Sequence, residues 1–395
     1  MPLLPLGDSL WILVLRALGV TPRRGFAAVE SSALPPAQPP DLPAGEAAAA
    51  VGFLTPLRHH EEVRPARMTD TADVFLRLLR SDGIVHSPSA TLTPLPGGVS
   101  SEIYRVDDGA DTFVVKRALA RLKVQDEWTA DLSRNAYEHR YLEYVGRFLP
   151  RSVPALRKGD SARGYFAMEY FGPEYCNWKE LLLQGTFEPT HAAAAARILG
   201  QIHRVSFGDP DAIALFGGHS CFDQLRLEPY LLTTGRRHPQ LEGVFRAEAH
   251  RLAATSECLV HGDFSPKNIL IGADRMVILD CEAAWYGDPA FDVSFMLTHL
   301  FLKALLQSGV PSSQQLIRTF WQEYTRVAGR TLDDRVPRLL LMLLLARMDG
   351  KSPVEYLAEP QRTFVRRFDC AHLPTPTLSL SDLSNAWFSQ IVGKK

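Results

Sequence analysis

The spacing of apolar residues changes period along this chain, and each change marks an element. Val74-Phe75-Leu76 and Leu78-Leu79 predict an amphipathic helix opening near Met68, with Thr69, Asp70 or Thr71 as its cap. From Leu92 the repeat is that of strands: Leu92-Thr93-Pro94-Leu95, Ile103-Tyr104-Arg105-Val106 and Thr112-Phe113-Val114-Val115-Lys116, with turns at Gly97-Gly98 and Asp107-Asp108-Gly109. Helical spacing returns at Tyr137, Tyr141, Leu142 and Val145. Tyr165 to Glu169 alternates again and runs into Tyr170-Phe171-Gly172-Pro173, and Ala192 to His203 is a further helix. Ile269-Leu270-Ile271 and Met276-Val277-Ile278-Leu279, joined by Gly272-Ala273-Asp274-Arg275, predict a hairpin. Beyond it, Phe291 to Leu306 and Leu339 to Ala346 are apolar enough for core helices and too short to span a membrane. Ser379 to Phe388 reads as a capped amphipathic turn or a loose tail.

Residues 1–67 stand apart. Pro and Ala dominate Ala33 to Val51, a composition that buries little and favours an extended, mobile linker. The apolar run Ser9 to Val20 is too short for a span, is broken by Arg16 and lacks a basic region before it, which argues against a secretory signal. Arg16, Arg23 and Arg24 leave an organelle presequence open beside an extension with no catalytic role. A chain of 395 residues is long for one domain, so one two-lobed unit with an appendage is expected. The formal net charge of -1 supplies no field for nucleic acid or an acidic membrane. Cys176, Cys221, Cys258, Cys281 and Cys370 are odd in number and contain no C-x-x-C pair, which argues against a disulfide framework or a zinc site and for a reducing cytosol.

The chemistry concentrates in Leu259-Val260-His261-Gly262-Asp263-Phe264-Ser265-Pro266-Lys267-Asn268-Ile269-Leu270 and in Asp280, which closes the next β-branched run. Phosphoryl transfer needs a carboxylate to orient the attacking hydroxyl and accept its proton, plus oxygen ligands for the Mg²⁺ that neutralises a triphosphate. Asp263 is the candidate base, and Asn268 and Asp280 are the candidate metal ligands, with Glu282 as an outer ligand. The H-x-D-x-x-x-x-N spacing lets the loop turn between Asp263 and Asn268, so that one faces the nucleophile and the other the metal.

Protein kinases carry Arg before this aspartate, whereas here it is Gly262. Gly262, Pro266, Asp280-Cys281-Glu282 in place of Asp-Phe-Gly, and Gly287-Asp288-Pro289-Ala290-Phe291-Asp292 together resemble the aminoglycoside phosphotransferase and choline kinase family of small-molecule kinases. Ala118 to Val124 followed by Trp128 adds a likeness to methylthioribose kinases. The resemblance implies an α+β, bilobal protein-kinase-like fold. It divides the chain into the extension 1–67, an ATP-binding lobe 68–170 with an antiparallel sheet, a helical catalytic lobe 171–372 and a tail or short helix 373–395. ATP and Mg²⁺ are the implied cofactors, a small-molecule hydroxyl compound is the acceptor, and no nucleic acid or membrane partner is expected.

In such a fold Gly97 and Gly98 let a hairpin approach phosphate oxygens, Ser100 and Ser101 add hydroxyl donors, and Lys116 pairs the α- and β-phosphates. Glu138 is the expected partner of Lys116, with Glu143 as the alternative. Met168, Glu169 and Tyr170 form the segment between the lobes, where free backbone groups meet the adenine edge and Met168 its face. Ser265 sits where a protein kinase has the lysine that steadies the γ-phosphate, and Lys267 is a substitute. Asp292 is expected to brace the loop, and His203 to be structural. Arg347 to Leu357 either lines the acceptor pocket or makes a helix corner. Glu282, Asp288 and Asp349 are too few for the acidic rim of an aminoglycoside site. A methylthioribose-type sugar kinase, an antibiotic kinase and a nucleotide-binding pseudoenzyme are the competing readings.

Overall fold

The computed structural model describes residues 68–95, 101–118, 133–160, 163–306, 311–374 and 379–392. The extension 1–67, Gly97, Gly98 and Ser100, and the segment from Leu119 to Trp128 lie outside them.

Five strands, β1 (Thr91–Leu95), β2 (Ser101–Asp108), β3 (Asp111–Ala118), β4 (Leu156–Asp160) and β5 (Tyr165–Glu169), form an antiparallel sheet in the order β1-β2-β3-β5-β4. Alternation decides what each face of it meets. Lys116 lies opposite Ile103 and Phe166, and Val114 opposite Met168, so these residues share one face. That face joins the large core and meets the helix Ser133–Gly146, whose Tyr141, Leu142 and Val145 are buried there. The other face, with Tyr104, Val106, Phe113, Val115, Tyr165 and Ala167, packs on Phe75 and Leu79 of the helix Met68–Ser81. A lysine on the inner face of a two-sided apolar sheet is costly unless something holds its charge. Thr69, Asp70 and Thr71 fall within the first turn of the Met68–Ser81 helix rather than before it, so they are not its caps.

The rest of the chain is mainly helical. Helices Ala290–Leu306 and Val336–Asp349 pack on each other and are buried almost throughout, which is why their apolar runs show no polar stripe. Helix Pro189–Val205 lies along Pro311–Ala328. Two small sheets complete the fold: β6 (Cys176–Asn177), β8 (Ile269–Ile271) and β9 (Met276–Ile278) form one, and β7 (Cys258–Val260) with β10 (Trp285–Gly287) forms the other. No described helix is long and apolar enough to cross a membrane.

The C-terminal segment is a helix, Leu380–Val392, and not a loose tail. Its Trp387 is fully buried, with ring centroids 5.4 Å from Phe301, 5.0 Å from Phe364 and 4.9 Å from Phe368. The aromatic contacts supply the burial that holds it down. Ser379 caps this helix, its Oγ accepting from the Asp382 N–H at 3.1 Å. Ser379→Ala is expected to cost about 1 kcal/mol, read as a lowered midpoint in urea at unchanged slope.

Candidate active site

The catalytic loop begins where β7 ends, and its backbone is held from below. Asp292, in the first turn of helix Ala290–Leu306, accepts the N–H of His261 at 2.7 Å and of Gly262 at 2.9 Å. His203 Nε2 lies 3.3 Å from the same carboxylate, and its Nδ1 lies 2.9 Å from the Tyr324 hydroxyl. Both residues therefore brace the loop. His261 Nδ1 accepts the Asp263 N–H at 3.1 Å, so its Nε2 carries the proton and donates to the Leu279 carbonyl at 3.1 Å. Burial lowers the pKa of this imidazole, in keeping with a neutral structural role. Gly262 has φ +76°, and a Cβ on it would collide with the Ala283 carbonyl, which accounts for glycine at this position.

Asp263 is buried and asymmetric in its contacts. Its Oδ2 lies 2.9 Å from Lys267 Nζ and 3.1 Å from Arg226 Nη2. Its Oδ1 is buried with no hydrogen-bond partner among the described residues. Arg226 was not anticipated from the sequence. It sits on Asp223–Leu232, a segment wound with wide π-helical bonds around Pro229, which has no N–H to give. Its Nη1 donates to the Leu225 carbonyl at 2.6 Å, its Nε donates to the Gly262 carbonyl, and its guanidinium lies 5.8 Å from the rings of Tyr230 and Phe295. No motif around Arg226 marks it, because only the packing of that helix against the loop brings it to Asp263.

The hairpin delivers the second carboxylate. β8 and β9 pair antiparallel, and the Gly272 N–H closes the turn on the Arg275 carbonyl at 2.8 Å. Leu279 N–H then donates to Asn268 O at 2.9 Å, and Asn268 Nδ2 donates to Asp263 O at 3.0 Å, so loop and hairpin end are tied together. Asp280 follows with φ +62°, the one non-glycine residue with positive φ among the described residues. Such a conformation costs on the order of 1–3 kcal/mol and persists only where surrounding contacts fix it. Here the contact is Lys116, whose Nζ lies 2.8 Å from Asp280 Oδ1 and 2.6 Å from Glu138 Oε2.

Lys116 and Glu138 are buried, and the charges decide their ionisation. Burial opposes the charge on Lys116, yet Asp280, Glu138 and Glu282 outweigh it and raise the pKa. Burial also pulls Asp280 upward, but Lys116 and Lys267 pull harder and the net shift is down. For Glu138 burial wins, and its pKa is raised in spite of Lys116. Glu282 Oε2 is 3.7 Å from Nε of the buried Arg134, a second cation that the sequence did not reveal. One oxygen from each of Glu138, Asp280 and Glu282 lies within 4.8 Å of the others, a set of hard donors suited to a divalent ion of the Mg²⁺ type.

Glu143 is exposed and is not the lysine's partner. Ser101 opens β2 and is buried. Met168 is in the large core on the Lys116 face of the sheet. Glu169 is not free to meet adenine as expected: its N–H donates to Ala155 O at 2.9 Å, and its carboxylate takes Arg275 at 2.6 and 3.0 Å and the Ala155 N–H at 3.1 Å. Tyr170 has the Arg105 guanidinium 5.7 Å over its ring. Asp288 is bound to Arg251 and Arg335, and Asp349 to Arg366 and His238, so neither presents an acidic rim.

A sequence profile of the phosphotransferase enzyme family matches residues 91–324, which includes the sheet, the catalytic loop and the hairpin. The chain is 23% identical over 297 residues to a methylthioribose kinase of Pectobacterium atrosepticum, covering 65% of this chain and 74% of that protein. It is 25% identical over 327 residues to a methylthioribose kinase of Escherichia coli, covering 68% and 77%. Among solved structures, a microcompartment-associated aminopropanol kinase aligns at 14% identity with a TM-score of 0.48, over 80% of this chain and 98% of that one. The family profile spans more than half of the chain and contains the loop and hairpin built above, so the protein belongs to the phosphotransferase enzyme family and is an ATP-dependent kinase of small molecules.

Proposed function

We propose that Asp263 is the catalytic base of this kinase. The observation that carries the reading is the division of labour within its carboxylate: Oδ2 is fixed by Lys267 and Arg226, while Oδ1 is buried and has no hydrogen-bond partner among the described residues. An acceptor hydroxyl donating to Oδ1 would be oriented for in-line attack. As its oxygen bonds to the γ-phosphorus, the β–γ bridging P–O bond breaks, the proton passes to Oδ1 and ADP leaves. Lys116, held by Glu138, is the cation for the α- and β-phosphates, and Gly97, Gly98, Ser100 and Ser101 are the strand-loop donors over them. Met168 and the backbone of Tyr170 border the adenine. Asn268 and Asp280 would hold Mg²⁺ with Glu282 as an outer ligand, and when bound the ion neutralises triphosphate charge. Asn268 suits this because its Nδ2 is already spent on Asp263 O, which turns the amide oxygen away from that bond. A cytoplasmic location is part of the reading, supported by five cysteines that are all free.

Thermal unfolding tests the metal assignment. ATP at a hundredfold its Kd should stabilise the protein by about 2.7 kcal/mol, and should do so only with Mg²⁺ present. Equal stabilisation in EDTA would remove Asn268 and Asp280 as ligands. A methylthioribose-type sugar as acceptor is the second reading, favoured by the two bacterial relatives at 23% and 25% identity.

A further inference from the structure

Two cations converge on one oxygen of the base, and they are built differently. Arg226 Nη2 lies 3.1 Å and Lys267 Nζ 2.9 Å from Asp263 Oδ2. Each nitrogen of Arg226 already faces an oxygen: Nη2 the carboxylate, Nε the Gly262 carbonyl and Nη1 the Leu225 carbonyl. Its side chain is 10% exposed, with the rings of Tyr230 and Phe295 each 5.8 Å from the guanidinium. A group fixed in this way can hold the base but cannot follow a substrate. The Lys267 side chain is 27% exposed against 5% for Asp263, so of the three groups it is the one open to whatever enters the site.

The backbone under Lys267 is anchored although its side chain is not buried. Lys267 lies in the one-turn 3-10 helix Pro266–Asn268. Its carbonyl accepts Asn177 Nδ2 at 2.7 Å, and the Asn268 N–H closes the turn on the Ser265 carbonyl at 3.0 Å. The stem therefore starts from a fixed point, and its flexible carbons give the ammonium its reach. That reach bears on both carboxylates of the site. At Asp280 burial raises the pKa, and Lys116 and then Lys267 bring it down, so the charge of Lys267 is felt there as well as at Asp263. A γ-phosphoryl group in transfer has to pass between these two carboxylates, because the acceptor attacks from the side of Asp263 and the nucleotide lies on the side of Lys116 and Asp280. Ser265, two residues before Lys267, is fully buried and neutral and supplies no charge there.

We propose that Lys267 is a catalytic residue, an ammonium that bridges Asp263 Oδ2 and an oxygen of the γ-phosphoryl group during transfer while Arg226 keeps the base in place. This rests on the kinase reading above and adds to it the cation that meets the transferred group. The acceptor oxygen bonds to phosphorus, the β–γ bridging P–O bond breaks, the acceptor proton goes to Asp263 Oδ1 and ADP leaves. Lys267 keeps its own protons throughout, and its donors stabilise negative charge on the phosphoryl oxygens. An ammonium with three rotatable donors can serve a carboxylate and a phosphoryl oxygen at once, whereas the guanidinium of Arg226 is committed to its three oxygens.

The test uses the full chain and two nucleotide probes, Mg·ADP and Mg·AMP-PNP, of which only the second carries a γ-phosphoryl group. Binding is measured by calorimetry and needs no acceptor. Lys267→Met is expected to weaken Mg·AMP-PNP at least ~10-fold, about 1.4 kcal/mol, and to leave Mg·ADP within about twofold. Lys267→Arg is expected to recover most of that loss. Removing the lysine also leaves the Asp263 charge less neutralised, which by itself would repel a γ-phosphate, so the same substitution is made in an Asp263→Asn background. A direct contact predicts that Lys267→Met still weakens Mg·AMP-PNP about 10-fold there. Equal losses for the two nucleotides, no loss for either, or a loss that vanishes in the Asp263→Asn background overturns the proposal. If Lys267→Met does not bind Mg·ADP, Lys267→Gln takes its place under the same criteria. A wild-type chain that binds neither nucleotide would instead sink the kinase reading.

Discussion

Asp263→Asn should lower kcat by about 10²-fold or more while leaving ATP affinity within a few-fold. The amide keeps the volume of the carboxylate but cannot take the acceptor's proton. Lys267 and Arg226, which approach Oδ2 at 2.9 and 3.1 Å, would face a neutral group, so a loss of stability is expected beside the kinetic effect. The two are separable: thermal unfolding reports the first, and a coupled ADP assay at a temperature where the variant is folded reports the second. Nearly full turnover by folded Asp263→Asn would place the base elsewhere.

Lys116→Met should be more damaging to the fold. It leaves Glu138, Asp280 and Glu282 with oxygens within 4.8 Å of one another and the central cation gone. Breaking a buried pair by removing one partner costs roughly 3–5 kcal/mol. The pH dependence of the deficit is the specific signature. In the wild type the raised Lys116 pKa contributes stability that is present below its unfolded value and lost only as pH rises through the folded one. The lowered Asp280 pKa contributes stability present above its unfolded value and lost as pH falls through the folded one. Around neutrality both contributions are in place. Without Lys116, Asp280 loses what held it down, and Glu138, whose pKa burial already raises in the wild type, is raised further, so the variant holds more protons than the wild type over a range where the unfolded chain has released them. Native protein then binds more protons than unfolded, and stability falls as pH rises. The gap between wild type and Lys116→Met should therefore widen from pH 5 to pH 8 in urea titrations, and Lys116→Met/Glu138→Gln should recover part of it. A gap that stays constant over that range would mean that the lysine acts by packing alone.

Much of this molecule is legible in local pattern, and the reason is the range of the interactions involved. The β2–β3 turn, the β8–β9 hairpin and the helix carrying Glu138 are specified by residues a few positions apart, so period and turn chemistry declare them. The loop from His261 to Asn268 is equally local, because the H-x-D-x-x-x-x-N spacing lies within one backbone turn. The pairing of Lys116 with Glu138 was within reach for a related reason, since a lysine on the inner face of an apolar sheet requires a carboxylate, whereas its contact with Asp280 came only with the fold.

What only the tertiary structure decided depends on residues far apart in sequence that no periodicity connects. Arg226 reaches Asp263 through the seating of a π-wound helix, and Arg134 reaches Glu282 across the two lobes. Glu169 looked available until Arg275 and Ala155 were found to occupy it. The C-terminal helix read equally well as a loose tail, because its local pattern says nothing of the aromatic slot that receives Trp387. A sequence near neutral in total charge cannot disclose which buried cation meets which carboxylate, since that pairing is a property of the fold.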